Sequence, residues 1–167
     1  MKTELKGWLM ALAMVAVLPA CSDDDDDVRV SDVPVPVQEA FQSKFPDVTG
    51  VEWERERGYY VADFWQEGLE THVWIDTEGT WRMTELDFGI RLTLLPQTVQ
   101  DAFRTGAYAS WRVDDVGKYE RPDGTFYLIE VETNGKSEHD LFFGEDGSLL
   151  KDEIDNDGAE ITPDTVI

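Results

Sequence analysis

The segment Val37-Gln38-Glu39-Ala40-Phe41 returns sixty-two positions later as Val99-Gln100-Asp101-Ala102-Phe103, and Pro34 and Pro96 hold the same place before each copy. This is an internal repeat, one supersecondary unit used twice. The rest of each unit agrees. Trp53 follows the first copy and Trp111 the second, and Gly58-Tyr59-Tyr60-Val61 matches Gly124-Thr125-Phe126-Tyr127. Asp76-Thr77-Glu78-Gly79 matches Gly144-Glu145-Asp146-Gly147, and Glu85 matches Glu153. The spacing drifts from pair to pair, so the units differ in loop length, most visibly around 117–123.

Each unit reads as one helix followed by four strands. Val37, Ala40, Phe41 and Phe45 recur at helical spacing behind a proline suited to a first turn, and Val99, Ala102 and Phe103 repeat the stripe. Strands are expected near 50–56, 59–66, 70–76 and 80–87, then near 109–117, 125–133, 137–143 and 148–154, all rich in aromatic and β-branched residues. Turn dipeptides separate them: Arg57-Gly58, Glu67-Gly68 and Glu78-Gly79, then Asp123-Gly124, Asn134-Gly135 and Asp146-Gly147. A helix with one apolar stripe needs a sheet to cover it. The expected fold is therefore α+β, with two tandem helix-plus-four-stranded antiparallel meander repeats at 33–90 and 91–155. They could share one continuous sheet, with both helices on one face and the other face open.

The first twenty residues have a different character. Lys2 and Lys6 precede a mostly apolar run from Trp8 to Leu18, right for a secretion signal and short for a membrane span. It ends in Leu18-Pro19-Ala20-Cys21, which resembles a lipobox, so 1–20 is expected to be cleaved and Cys21 lipidated. Acyl chains anchor stably, since each buried methylene contributes about 0.8 kcal/mol. The run Asp23–Asp27 makes 21–32 a self-repelling tether. It resembles the acidic export signal of Bacteroidetes surface lipoproteins, which implies an outer-membrane protein displayed on the cell surface. Read as a plain linker, it leaves the protein on the periplasmic face.

Charge narrows the partners. The formal net charge is −22, and signal removal takes away two lysines and one glutamate. Such a surface repels phosphate backbones and anionic headgroups, so nucleic acid is excluded and membrane contact is expected through the lipid anchor only. Charge favours a protein or peptide ligand, particularly a basic one; a bland reading of the same charge is solubility. The single cysteine, Cys21, allows no internal disulfide.

A helix carrying Val-x-x-Ala-Phe, a Trp on the first strand, Gly-Tyr-Tyr-Val, and Asp-x-x-Gly before the last strand together resemble the PepSY-like family. Its members are also described as β-lactamase-inhibitor-like periplasmic proteins. Two tandem copies would cover about 34–155. The resemblance implies an antiparallel sheet backed by helices. In the inhibitor that gives the group its name, the sheet grips the enzyme. It carries over no catalytic residues, and relatives under the PepSY label are linked to regulating secreted peptidases.

Strand alternation nominates a site. One face of the first unit would show Tyr59, Asp63, Trp65, His72, Trp74 and Trp81, while Tyr60, Ala62, Phe64, Val73 and Ile75 would meet the helix. Aromatic anchors of this kind dominate binding at interfaces. The alternative is that these aromatics pack together, meet the second unit or cover core margins, and a bulge would reverse the faces. His72 and His139 without a free cysteine do not make a closed zinc site, and no cofactor is expected. No Ser–His–Asp order or phosphate loop stands out, so the chain does not read as an enzyme. Glu153, Asp155, Asp157 and Asp164 follow calcium-loop spacing loosely, with Glu at the first position and a short Asp at the last. An acidic frayed tail over 156–167 is the simpler reading. The expected function is a lipid-anchored envelope binding module using the aromatic face. The alternatives are an inhibitor or regulator of an envelope peptidase or other hydrolase, and a calcium-binding envelope protein.

Overall fold

The computed structural model describes residues 27–133, 138–155 and 161–167. The expected secretion signal, Cys21, most of the aspartate run, the expected Asn134-Gly135 turn and Asp157 lie outside these residues. The chain runs α1 (Val35–Lys44), β1 (Glu52–Glu56), β2 (Tyr59–Gln66), β3 (Leu69–Asp76), β4 (Trp81–Asp87), α2 (Gln97–Thr105), β5 (Arg112–Arg121), β6 (Gly124–Glu132), β7 (Glu138–Gly144) and β8 (Leu149–Asp155). All eight strands form one antiparallel sheet in sequence order. The halves join where β4 pairs β5, Thr84 opposite Glu120 and Asp87 opposite Gly117.

The repeated pentapeptide has a structural reason. Pro34 and Pro96 stand immediately before the two helices, each after a short 3-10 turn, Val30–Asp32 and Leu92–Leu94. The motif's glutamine folds back on the chain entering the helix. Gln38 Nε2 donates to the Val33 carbonyl and Gln100 Nε2 to the Leu95 carbonyl, both at 2.8 Å. Valine and phenylalanine then point inward: Val37, Phe41, Val99 and Phe103 are all buried. Each contributes about 1.5–3 kcal/mol by leaving water.

The second repeated feature is the glycine closing the β3–β4 and β7–β8 hairpins. Gly79 and Gly147 have φ of +87° and +82°, and a Cβ on either would lie 2.6 Å from a helix carbonyl, Pro36 or Thr98. Only glycine tolerates both the backbone angle and the approach. Both helices therefore dock on their hairpins through the same contact.

Register sets the faces. Tyr60, Ala62, Phe64, Val73 and Ile75 pack with α1, and Val116, Tyr127, Ile129, Leu141 and Phe143 with α2. The pairings carry this parity across the β4–β5 seam, so both helices lie on one face of the sheet.

The opposite face is not simply open. It holds an apolar cluster of its own: Val61, Trp74, Met83, Tyr119, Phe126, Leu128 and Phe142, with Ile161 from the C-terminal segment. That segment is packed rather than frayed over 161–167. Arg121 donates to the carbonyls of Thr162 at 2.6 Å and Thr165 at 2.8 Å, and Lys151 to that of Val166 at 2.8 Å. The Tyr59 hydroxyl donates to Asp164 at 3.0 Å, and Ile161 and Thr162 are buried.

One loop expectation is corrected. Residues 117–121 belong to β5, and the turn falls after Arg121. Gly117 sits mid-strand because a Cβ there would meet the Tyr119 ring at 2.7 Å, and that ring stacks on Phe126 at 4.9 Å. Here the glycine makes room for an aromatic, as on other sheets.

Candidate functional site

The helix-free face divides into two zones. The apolar zone lies under residues 161–167. Trp74, at its centre, is 0% exposed, so the structure seals away one of the expected aromatic anchors. Tyr59 borders this zone, half-buried, with its ring edge-on to Trp74 at 6.0 Å. Burial first, then the Asp164 carboxylate, raises its pKa.

Trp81 is on the other face altogether. A bulge between Trp74 and Ile75 pairs Ile75 with Trp81 and Trp74 with Met83, leaving Arg82 as the extra residue. The indole therefore packs on the α1 core, where its N–H donates to Thr84 Oγ1 at 2.9 Å and the Lys44 ammonium sits 4.0 Å from a ring centroid. The face assignment of Trp81 is corrected by one bulge.

The second zone is acidic. Register places Asp63, Glu70, Glu85, Asp87, Asp115, Glu130, Asp140 and Glu153 on the helix-free face, drawn from β2 to β8. Asp115, Glu130, Asp140 and Glu153 stand opposite one another across four neighbouring strands, with Asp140 itself buried. His72 is set among carboxylates: Nδ1 is 3.8 Å from Asp63 and 3.9 Å from Glu85, and Nε2 is 3.9 Å from Glu70. Tyr119 donates to Glu85 at 2.8 Å, and burial, then that carboxylate, pushes its pKa well up. Asp115 is half-buried. Loss of water first, and Asp87 second, raise its carboxyl to about 6. Beside this zone, at the end of β2, Trp65 is 70% exposed.

Of the residues nominated by the sequence, the structure brings Asp63, Trp65 and His72 to one zone, with Trp65 exposed and Asp63 and His72 half-buried. It buries Trp74 and moves Trp81 to the helix side. The calcium-loop positions do not converge. Glu153 is in β8 and pairs with Lys151 at 2.9 Å, Asp155 ends that strand, and Asp164 receives the Tyr59 hydroxyl. Among the described residues no group of His, Cys, Asp or Glu is arranged to hold a metal ion. Sequence reasoning missed Asp115, Glu130 and Asp140. It also missed the C-terminal segment, whose signal was the apolar Ile161, Val166 and Ile167 closing an otherwise acidic stretch.

Comparison with known proteins adds the relatives. The family described as "Putative beta-lactamase-inhibitor-like, PepSY-like" matches residues 58–151, from the β1–β2 turn into β8. A solved structure from Bacteroides ovatus, described as a DUF2874 family protein, is 36% identical with a TM-score of 0.69, over 72% of this chain and 86% of that one. One from Bacteroides fragilis, described as a BLIP-like protein, is 34% identical with a TM-score of 0.69, over 75% and 90%. A third, from Bacteroides eggerthii, is described as a putative periplasmic protein. It is 27% identical with a TM-score of 0.68, over 73% and 88%. No curated protein matches the chain.

Proposed function

Because this chain belongs to the β-lactamase-inhibitor-like, PepSY-like family, we propose that it is a cell-envelope binding module that takes a basic protein or peptide on the acidic zone of its helix-free face. The observation that carries this reading is the composition of that zone: partly exposed carboxylates from β2 to β6 and from β8 beside an exposed tryptophan. A cationic partner would meet complementary potential across the zone and gain association rate from it. Trp65 would supply the aromatic anchor. A partner that lowers the raised pKa of Asp115 would release a proton on binding, so affinity should rise between pH 5 and pH 7.

Held by a lipid on Cys21 and a short acidic tether, the module would stand at the outer membrane, facing the cell surface or the periplasm. Cys21→Ser should move the protein from the membrane fraction to the soluble fraction. The test of the binding face is retention of proteins from a Bacteroides outer-membrane extract on immobilised wild type, Trp65→Ala and Asp87→Lys. Loss of a salt-sensitive species with both variants supports the reading, and identical retention contradicts it.

The BLIP-like description of the Bacteroides fragilis relative favours a second reading, inhibition of an envelope hydrolase through the same face. Purified protein added to β-lactamase and envelope-peptidase assays should then inhibit at least one of them, and an unaffected panel removes this reading.

A further inference from the structure

The two units diverge most where the helix end meets the second hairpin. The helices correspond at an offset of 62, and the hairpins at 68, fixed by the paired contacts of Gly79 with Pro36 and Gly147 with Thr98. On that register Trp81 corresponds to Leu149, since each follows the hairpin turn and pairs at the same bulge, with Ile75 and with Phe143. Phe45 corresponds to Ala107, Lys44 to Gly106 and Thr84 to Asp152. In the first unit the site is full: Phe45 packs on Phe41 and Phe64 at 5.4 and 5.2 Å, and the Trp81 indole covers the hairpin. In the second unit Phe41 is matched by Phe103, but the counterparts of Phe45, Lys44 and Trp81 are all smaller. A cavity of about 250 Å³ remains, walled by Phe103, Ala107, Leu141, Phe143 and Leu149, with Asp152 at its rim.

The rim is built for charge. Asp152 accepts from the Tyr108 hydroxyl at 2.6 Å and lies 2.7 Å from His139 Nδ1. Tyr108 and His139 are themselves clamped by the Trp111 ring at 4.9 and 5.3 Å. Burial alone would raise the Asp152 carboxyl, but the Tyr108 and His139 contacts outweigh it and leave it below the usual carboxylate range. It stays ionised at neutral pH, and a carboxylate has acceptor capacity beyond two partners.

We propose that this cavity is a binding site for a small arylalkylamine: an aromatic ring in the place Trp81 holds in the first unit, and an ammonium on Asp152. The first unit supplies the template, because there an indole N–H reaches the residue equivalent to Asp152 at 2.9 Å. The cavity is smaller than the roughly 300–1,000 Å³ of drug-sized ligands, which suits one or two rings.

The site is tested on the mature chain by titration with tryptamine, followed by NMR and by melting temperature, against indole-3-propionate, which has the same ring and the opposite charge. Tryptamine should bind below about 1 mM and raise the melting temperature, and the propionate should bind roughly tenfold more weakly or not at all. Leu149→Trp should fill the cavity and abolish tryptamine binding, with Ala107→Phe as the second filling variant should the first not fold. Absence of tryptamine binding to the wild type overturns the proposal, as does equal affinity for amine and acid. So does undiminished binding by a folded filling variant.

Discussion

The first and second units share their docking contacts and differ in their filling. Gln38 and Gln100 bond the same carbonyl five residues back, and Gly79 and Gly147 make the same approach to the helix backbone. Around those fixed points the first unit is closed by rings, Phe41 against Phe45, Trp53 and Phe64 at 5.4–5.5 Å. The second has Ala107 and Leu149 instead, and a Tyr108–Asp152–His139 cluster that the first lacks. Backbone contacts define the repeat, and side-chain volume is where the halves are free to specialise.

The comparison can be broken by mutation. The largest effect is expected at the paired phenylalanines. Phe41→Ala should cost about 4–5 kcal/mol, and Phe103→Ala, already beside a cavity, about 3 kcal/mol. Urea unfolding of both variants measures this, and equal losses would show that the halves are packed alike. Next come the glycines. Gly79→Ala and Gly147→Ala should each cost about 1–3 kcal/mol, nearly the same in both halves, since angle and approach are shared. A large difference in midpoint would mean that the docking contact is not common to the two units.

The smallest effect concerns the acidic zone, which crosses the seam. Burial, with Asp87 second, raises the Asp115 carboxyl from its ordinary pKa of 3.8 to about 6 in the folded protein. A carboxyl whose pKa is raised binds its proton more tightly in the folded state, so stability from this group falls as pH rises through that window. Asp115→Asn should therefore stabilise the protein at pH 7 by about 1 kcal/mol, after allowance for solvent screening of a half-exposed group, and change nothing at pH 3.5. Melting curves at the two pH values decide it; the same gain at both would assign the effect to packing.

Much of the fold is legible in the sequence for local reasons. Periodicity and turn dipeptides locate both helices and the eight strands to within a few residues, because each signal is carried by the residues that form the element. The site is less legible because its determinants are not local. One extra residue, Arg82, reverses Trp81, and a bulge leaves no mark on alternation alone. Trp74 is buried in a cluster that includes Ile161, far along the chain. The carboxylate row of Asp115, Glu130, Asp140 and Glu153 exists only once the register of four strands is known. Gly117 looks like a loop residue until the Tyr119 ring is seen lying over it.

The proposed docking face is tested most directly by amide hydrogen exchange on the protein, with and without a partner isolated from outer-membrane extract. Protection should concentrate on β2 and β3 around Trp65–Glu70 and on β5–β7 across the carboxylate row, with α1 and α2 unchanged. Protection confined to the helices, or to the edges of the sheet alone, would contradict the assignment of the helix-free face as the surface that binds.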